Sequence, residues 1–299
     1  MTERMTDRMT ERPSPRHHDL ETWPVADLVA AITESQFTAI AAVQAAGPTL
    51  GRAVAGAATR LARGGRLIYL GAGTSGRLAM LDAAELPPTF GWPPDRALAL
   101  IAGGPSALTT AIEGAEDDAR AAAAALSDLA CGPDDVVIGL AASGATPFTV
   151  AGLRAARASG ALTIGIANAP GTPLIEAAEI GIALDTGPEL VAGSTRMKAG
   201  TAQKVALTTF STALMVRLGL VYQGRMVEMR PTNAKLQRRA EAIVADLTGV
   251  CAQDARAALA RAEGSIKLAT IMLALDLPLE AARARLDAAG GRLADALKP

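Results

Sequence analysis

The stretch Arg66-Leu-Ile-Tyr-Leu-Gly-Ala-Gly-Thr-Ser-Gly-Arg77 decides the fold of this chain. Its apolar run 67–71 predicts a buried strand, its three glycines predict a tight turn, and residues 78–86 predict a helix. A strand, a glycine-rich turn and a helix in this order point free backbone N–H groups at an anion. The hydroxyls of Thr74 and Ser75 would add donors. The stretch therefore predicts either an anion-binding loop or a purely structural turn.

Further apolar runs predict four more strands, and helical patterns separate them. These runs lie at 97–102, 135–141, 161–167 and 180–184. Near-continuous apolar strands that alternate with helices are typical of a parallel sheet covered on both faces. We therefore expect an α/β fold with a doubly wound parallel five-stranded sheet.

The helical patterns divide the chain into segments. Apolar residues recur at helical spacing over 25–47, and later patterns predict helices over about 113–129 and 194–218. Pro87 and Pro88 are expected to end the helix that follows the first strand. Beyond residue 232 only helices are predicted, near 233–247, 252–261, 265–274 and 279–288. We expect a tail at 1–20, an α/β domain at 21–230 and a small all-α domain at 231–299.

Composition narrows the classes of function. The 299 residues carry a net charge of −1 without a long basic run, so nothing supports a nucleic-acid partner. The two cysteines lie far apart and form no disulfide or metal-ligand pattern, which fits a reducing cytoplasm. Neither an uninterrupted apolar run of about 18 residues nor the core of a secretion signal is found, so we expect no membrane span.

The N-terminal tail carries a repeat and a pair of histidines. Residues 1–12 are three near-copies of Met-Thr-acid-Arg, which can bury almost nothing and are expected to be disordered. His17 and His18 follow in a Pro-rich, charged segment. A metal site needs a set of ligands held in a fixed arrangement, which a short polar segment does not provide, so a solvated tail is favoured.

A second loop repeats the chemistry of the first. The third predicted strand ends in Gly139-Leu-Ala-Ala-Ser-Gly-Ala-Thr-Pro147. Pro147 suits the first turn of a helix, and Ser143 and Thr146 would lie beside that helix N-terminus, where phosphate oxygens bind. Loops at the carboxyl ends of two strands of one open sheet place a ligand crevice there.

The glycine spacing of the first loop also matches the dinucleotide fingerprint G-x-G-x-x-G. That class of enzyme needs an acidic residue at the end of the second strand to hold a ribose hydroxyl. Here the second strand ends in Ile101-Ala-Gly-Gly-Pro105, without an acid. A nicotinamide or flavin enzyme is therefore disfavoured.

Acidic residues follow both loops. Asp82 and Glu85 lie one turn apart on the first helix, and a cluster of acids begins at Glu113 and includes Glu116. Two carboxylates at one crevice, one kept protonated and one ionised, suit proton chemistry on a sugar. Acids near helix ends are also common on solvated surfaces, and both interpretations remain open.

A basic, hydroxyl-rich segment precedes the long helix predicted over 194–218. Ser194, Thr195 and Lys198 stand at its start, where they could contact the carboxylate or phosphate of an anionic ligand.

Taken together, four stretches resemble the N-acetylmuramic acid 6-phosphate etherase family. They are GAGTSGRLAMLDAAELPPTFG (71–91), AIEGAED (111–117), GLAASGATP (139–147) and GSTRMKAGTAQK (193–204). The resemblance extends from about residue 20 to the end. The family's relatives are sugar isomerase (SIS) domains, including the glucokinase regulatory protein.

The resemblance implies an activity and a setting. It implies removal of D-lactate from the C3 ether of N-acetylmuramic acid 6-phosphate, which gives N-acetylglucosamine 6-phosphate during cell-wall recycling in the cytoplasm. It implies a homodimer without metal or redox cofactor. One departure lies at Ile32-Thr-Glu-Ser35, where the family usually has an Asn and an acidic pair. This departure puts in doubt a role for N-terminal residues, but not the site.

The resemblance also implies the site residues. Glu85 matches the proton donor and Glu116 the second catalytic carboxylate, whereas Glu113 is not part of the pair. Ser75, Ser143 and Thr146 would hold the 6-phosphate. The full set expected to bind substrate or phosphate is Gly73, Thr74, Ser75, Gly76, Ser143, Gly144, Thr146, Ser194, Thr195 and Lys198.

Two other classes of function share the phosphate loops. A sugar-phosphate isomerase would release no lactate, and a non-catalytic sugar-phosphate sensor could dispense with the carboxylates. Because both carboxylates are present and no DNA-binding region is appended, the etherase is favoured.

Overall fold

The computed structural model of the chain describes residues 12–14, 17, 19–229, 231 and 233–298. The predictions made for residues 1–11 and His18 lie outside these residues. The chain forms two compact units, one from residues up to Ala84 with Asp95–Ser211, the other from Glu85–Pro94 with Thr212–Pro299.

The first unit is built around a parallel sheet. Its strands are β1 (Leu67–Gly71), β2 (Ala97–Ile101), β3 (Val136–Ala141), β4 (Leu162–Ala167) and β5 (Ile180–Ala183). Their order is β2-β1-β3-β4-β5, and all four pairings are parallel. Every residue of β1, β3 and β4 is buried, as apolar runs covered on both faces require. The predicted doubly wound five-stranded fold is confirmed.

Helices lie between and around these strands. They are α1 (Val25–Ser35), α2 (Phe37–Ala45), α3 (Gly47–Leu61), α4 (Gly73–Phe90), α5 (Ala121–Asp128), α6 (Pro147–Ala158), α7 (Pro173–Ala177) and α8 (Lys198–Arg217). Two of them, α4 and α8, run on from the first unit into the second.

Three predicted helix boundaries are wrong. The helix expected over 113–129 is a short 3-10 turn, Ala115–Asp117, followed by α5, because Gly114 has φ +71° and Asp118 accepts the N–H groups at the start of α5. Pro87 does not end α4, which continues through both prolines to Phe90. The long helix begins at Lys198 rather than Ser194.

The N-terminal pattern over 25–47 is two helices rather than one, since α1 ends at Ser35 and α2 starts at Phe37. None of the eleven residues of α1 is buried. By length and composition alone, Val25–Ala45 is apolar enough to cross a membrane. This apolar surface therefore lacks a covering partner within the described part of the chain.

The second unit is helical apart from a small antiparallel hairpin. It contains β6 (Val221–Tyr222), β7 (Arg225–Met226), α9 (Ala234–Thr248), α10 (Ala252–Arg261), α11 (Ile266–Leu275), α12 (Leu279–Ala288) and α13 (Leu293–Ala296). The side chains of Asn233 and Ser265 accept the N–H groups of Leu236 and Leu268 and so cap α9 and α11. Four of these helices confirm the predicted ones to within one residue at each end.

The buried carboxylate of Asp82 joins three elements of the first unit through hydrogen bonds. The Tyr69 hydroxyl on β1 donates to Asp82 Oδ2 on α4 at 2.7 Å, and the Ser211 hydroxyl on α8 donates to Asp82 Oδ1 at 3.1 Å. Burial, with the carboxylate of Asp82 beside it, raises the pKa of Tyr69 well above its usual value. Asp82 is thus a buried structural residue.

Candidate functional site

A cavity of about 480 Å³ lies at the carboxyl ends of β1 and β3. The sheet order 2-1-3-4-5 reverses direction between these two strands, and open α/β sheets bind ligands at that switch point. The lining comes from the loops after β1 and β3, the acidic 3-10 turn and the approach to α8. It comprises Ala72, Gly73, Thr74, Ser75, Glu116, Asp117, Ala141, Ala142, Ser143, Ala145, Thr146, Pro147 and Thr195.

The helix N-termini beside the cavity provide anion-binding groups. α4 starts at Gly73 and α6 at Pro147, so the first residues of both helices line the same space. Thr146 makes no side-chain hydrogen bond to cap α6. Ser143 Oγ accepts the N–H of Ala145 at 3.3 Å, which leaves its own hydrogen free to donate. This side of the cavity is therefore rich in donors.

Two expected site glycines shape the loops rather than line the cavity. At Gly144, where φ is +65°, an added Cβ would lie 2.2 Å from Thr172 Oγ1. At Gly76, an added Cβ would lie 2.6 Å from Ile101 Cγ1. A side chain at either position would push the loop away from its neighbouring element.

The acidic turn contributes two carboxylates. Glu116 and Asp117 both line the cavity, and both side chains are exposed. Glu113, in the same acidic segment, lies outside the lining. The turn from Gly114 is what brings Glu116 to the cavity, because it interrupts the helix that the sequence predicted.

Glu85 lies elsewhere on α4. It is exposed, and it is twelve residues beyond Gly73, which corresponds to about 18 Å along a helix axis. It is not among the residues that line the cavity.

A buried carboxylate caps the start of α8. Glu189 is fully buried and accepts the N–H groups of Lys198 at 3.2 Å and Ala199 at 2.9 Å, so its carboxylate caps α8. Burial raises the pKa of Glu189, and the hydrogen bonds from the backbone of Ala199 and Lys198, with the charge of Lys198, offset only part of that shift. Burial lowers the pKa of Lys198, and the charge of Glu189 offsets only part of that shift. Lys198 is buried here and, like Ser194, is not among the residues that line the cavity, whereas Thr195 is.

Sequence reasoning missed two residues of this region. Gln203 and Asn168 are buried behind the first loop, and Gln203 accepts the hydroxyl of Ser75 at 2.8 Å. Their distances from Ser75 in the sequence hid the contact, although an Asn directly after β4 is a polar residue at the edge where ligands bind.

No group of three or more potential metal-ligating side chains occurs among the residues that the structure describes.

Comparisons with known proteins identify the class of fold. Residues 49–157 match the family model of the glucokinase regulatory protein N-terminal SIS domain, and residues 118–213 match that of the SIS domain. A phosphoheptose isomerase from Francisella tularensis has the same fold, with a TM-score of 0.50 at 17% identity over 65% of this chain and all of that chain. The fold and the site define a SIS-domain protein.

Closer relatives define the family. The chain is 54% identical to the N-acetylmuramic acid 6-phosphate etherase of Deinococcus radiodurans, over 96% of this chain and 94% of that protein. It is 47% identical to the etherase of the same name from Cronobacter sakazakii, over 97% of this chain and 98% of that protein. The chain belongs to the N-acetylmuramic acid 6-phosphate etherase family.

Proposed function

We propose that this chain cleaves the C3 lactyl ether of N-acetylmuramic acid 6-phosphate, giving N-acetylglucosamine 6-phosphate and D-lactate. The observation that carries the proposal is Glu116 beside Ser143 and Thr146 in one cavity of a chain that belongs to the etherase family. The enzyme is a carbon–oxygen lyase that acts in amino-sugar recycling.

The phosphate lies against the two helix N-termini in this proposal. The hydroxyls of Ser143 and Thr146 donate to its oxygens, and the free N–H groups at the start of α4 and α6 add to the attraction. The other residues expected to bind, Gly73, Thr74 and Thr195, line the same cavity and shape the sugar's position.

The carboxylates carry the proton transfers. With the sugar open to its aldehyde, the carbonyl acidifies the C2 proton, and Glu116 removes it. The C3–O bond breaks as Glu85 donates a proton to the departing lactate oxygen, which leaves an unsaturated aldehyde. Water then adds at C3, with Glu85 as the acid–base group, and a proton returns to C2. Each positioned transfer contributes about 10²–10⁴ in rate.

Release of D-lactate from N-acetylmuramic acid 6-phosphate is the direct test. The expected result is one lactate for each N-acetylglucosamine 6-phosphate formed. Binding of the sugar phosphate without lactate would reject the etherase. Isomerisation of a sugar phosphate in its place would indicate the isomerase alternative, and binding alone would indicate the sensor.

The role of Glu116 is tested by comparing two acids of one segment. Glu116→Gln should lower turnover by about 10²–10⁴ while product binding is retained, because the amide cannot accept the C2 proton. Glu113→Gln is the matched control, since Glu113 lies in the same acidic segment but outside the cavity lining, and it should keep full turnover. Equal losses in both variants would remove Glu116 from the mechanism.

We further propose that the protein is a cytoplasmic homodimer. Val25 and Val29 on α1 and Phe37 on α2, here called the apolar stripe, have exposed fractions of 76%, 57% and 73%. Monomeric proteins rarely leave such a stripe uncovered, so a second copy is its proposed partner. Two free cysteines, Cys131 and Cys251, suit a reducing compartment.

A second copy would also complete the site. Along the axis of α4, Glu85 lies about 18 Å from Gly73, which lines the cavity. We propose that the Glu85 carboxylate acts at the cavity of the other subunit of the dimer.

A further inference from the structure

A buried chain of hydrogen bonds ends on Ser75 in the cavity. At its far end, Asn168 Nδ2 donates to the carbonyl oxygens of Leu184 and Ala199, both at 3.3 Å. Asn168 Oδ1 accepts from Gln203 Nε2 at 2.9 Å, and Gln203 Oε1 accepts from Ser75 Oγ at 2.8 Å. Asn168, Gln203 and Ser75 are 0%, 1% and 7% exposed. Solvent therefore has little access to these three hydrogen-bonded side chains.

The two carbonyl groups fix the direction of every bond in the chain. A carbonyl oxygen only accepts, so Asn168 must turn its NH₂ group toward Leu184 and Ala199. The amide oxygen of Asn168 then faces Gln203, which must present its own NH₂ group. The remaining oxygen of Gln203 can only accept from Ser75. Reversal would set two oxygens face to face in a buried place, at the cost of an unpaired acceptor.

We infer that Ser75 presents lone pairs to the cavity and accepts a hydrogen bond from the bound sugar phosphate, with Gln203 and Asn168 as positioning residues. Ser143 on the opposite loop has the reverse arrangement, since its oxygen accepts from Ala145 and its hydrogen is free. The cavity therefore offers an acceptor on the β1 side and a donor on the β3 side. This inference rests on the proposed function only in taking the ligand to be a sugar phosphate.

The ligand can supply the required donor from two places. A phosphate monoester carries a P–OH group below its second pKa of about 6 and none well above it. The hydroxyls of the sugar carry a donor at every pH. The charged groups of this region are Glu116 and Asp117 in the cavity lining and Glu189 and Lys198 at the start of α8. Each variant is therefore compared with wild type at the same pH.

The first test is Ser75→Ala, with dissociation constants of N-acetylglucosamine 6-phosphate and methyl phosphate measured by calorimetry at pH 5 and pH 8. If the donor is P–OH, both ligands bind about tenfold more weakly to the variant at pH 5 and no more weakly at pH 8. If the donor is a sugar hydroxyl, the sugar phosphate weakens equally at both pH values and methyl phosphate does not change. The first result supports an accepting Ser75 directly. The second supports it together with the Gln203→Leu result below, since a hydroxyl that donates to a sugar oxygen would give the same loss. A greater loss at pH 8 than at pH 5 would show a donating hydroxyl and overturn the inference.

The second test is Gln203→Leu, which removes the acceptor that holds the Ser75 hydrogen. The freed hydroxyl can donate to a phosphate dianion, so the affinity of the variant relative to wild type should be higher at pH 8 than at pH 5. Thr201→Val, on the same helix but bonded to Gln36, should keep the wild-type dependence. Equal loss at both pH values in Gln203→Leu would refute the positioning role. Since these are binding measurements, a failure to release lactate would reject the proposed activity without deciding this inference, and Ser75→Ala tests it if Gln203→Leu does not fold.

Discussion

At the scale of single residues, Gly144 shows how closely the loop after β3 is packed. Its φ of +65° is a conformation in which an L side chain costs about 1–2 kcal/mol. Its missing Cβ also leaves room for Thr172 Oγ1, only 2.2 Å from where that carbon would stand. The backbone of Gly144 is held at the same time by Leu174, whose N–H donates to the Gly144 carbonyl at 2.9 Å.

Gly144→Ala should therefore lower the free energy of unfolding by about 2–5 kcal/mol, as backbone strain and overpacking add. Gly171→Ala is the matched control, since Gly171 has φ +64° but nothing within 4 Å of an added Cβ. It should lose only the strain, about 1–2 kcal/mol. Urea denaturation of both variants measures the difference. Equal losses would mean that the contact with Thr172 relaxes freely.

The sequence predicted the residues of the cavity better than their partners. Thr74, Ser75, Ser143 and Thr146 could be identified because each belongs to a short local pattern of strand, glycine turn and helix. Gln203 could not, because its bond to Ser75 joins positions 128 residues apart. The catalytic roles of Glu85 and Glu116 and the binding roles of all the expected site residues stay predictions.

At the scale of elements, an ion pair joins the amino ends of β1 and β3, away from the cavity. Asp135 accepts from the backbone and side chain of Arg66, with Nη2 to Oδ2 at 2.7 Å, and from the N–H of Gly132. Burial alone would raise the pKa of Asp135, but these hydrogen bonds outweigh burial and lower it. The carboxylate therefore stabilises the fold when ionised.

Asp135→Asn should cost about 2–3 kcal/mol of unfolding free energy at pH 7, because the buried side chain that contacts the Arg66 guanidinium loses its charge. The pKa of Asp135 is lower in the folded protein than in the unfolded chain, where it is about 3.9. The ionised carboxylate therefore stabilises the fold above the unfolded-state pKa, and this stabilisation is lost as the pH falls through the folded-state pKa. The difference between variant and wild type should thus shrink below about pH 4.

Asp134→Asn provides the control for that measurement. Asp134 pairs with Arg63 at 2.7 Å, but both side chains are about half exposed, so its loss should cost less than about 1 kcal/mol. A difference for Asp135→Asn that stays constant from pH 7 to pH 3 would contradict the linkage. Lactate release should be unaffected in both variants, because neither residue lines the cavity.

Strands were predicted almost to the residue, whereas several helix ends were not. Buried strands such as β3 are continuous apolar runs, which can be recognised in the sequence alone. The ends of α4 and α8 depend on tertiary contacts instead. α8 begins at Lys198 because Glu189, nine residues earlier, accepts its N–H, and no local pattern indicates that cap.

At the scale of the whole molecule, the apolar stripe on α1 and α2 predicts self-association. Phe37→Glu should place a charge in the proposed interface and convert the dimer to monomer in analytical ultracentrifugation. Val216→Glu is the control, since Val216 is an exposed apolar residue on α8 outside the stripe. Sedimentation of wild-type protein with lipid vesicles, lost in Phe37→Glu, would instead assign the stripe to a membrane surface.

The proposed sharing of the site between subunits predicts complementation between inactive variants. Glu85→Gln and Glu116→Gln homodimers should each release little lactate, because every cavity lacks one carboxylate. A heterodimer of the two, co-expressed with different tags and purified through both, assembles one cavity with both carboxylates and one with neither. It should therefore recover about half of the wild-type turnover. A heterodimer of Glu116→Gln with the double variant contains no complete cavity and should stay inactive. If the first heterodimer is inactive as well, Glu85 acts at the cavity of its own chain, and the second copy is needed only to cover α1 and α2.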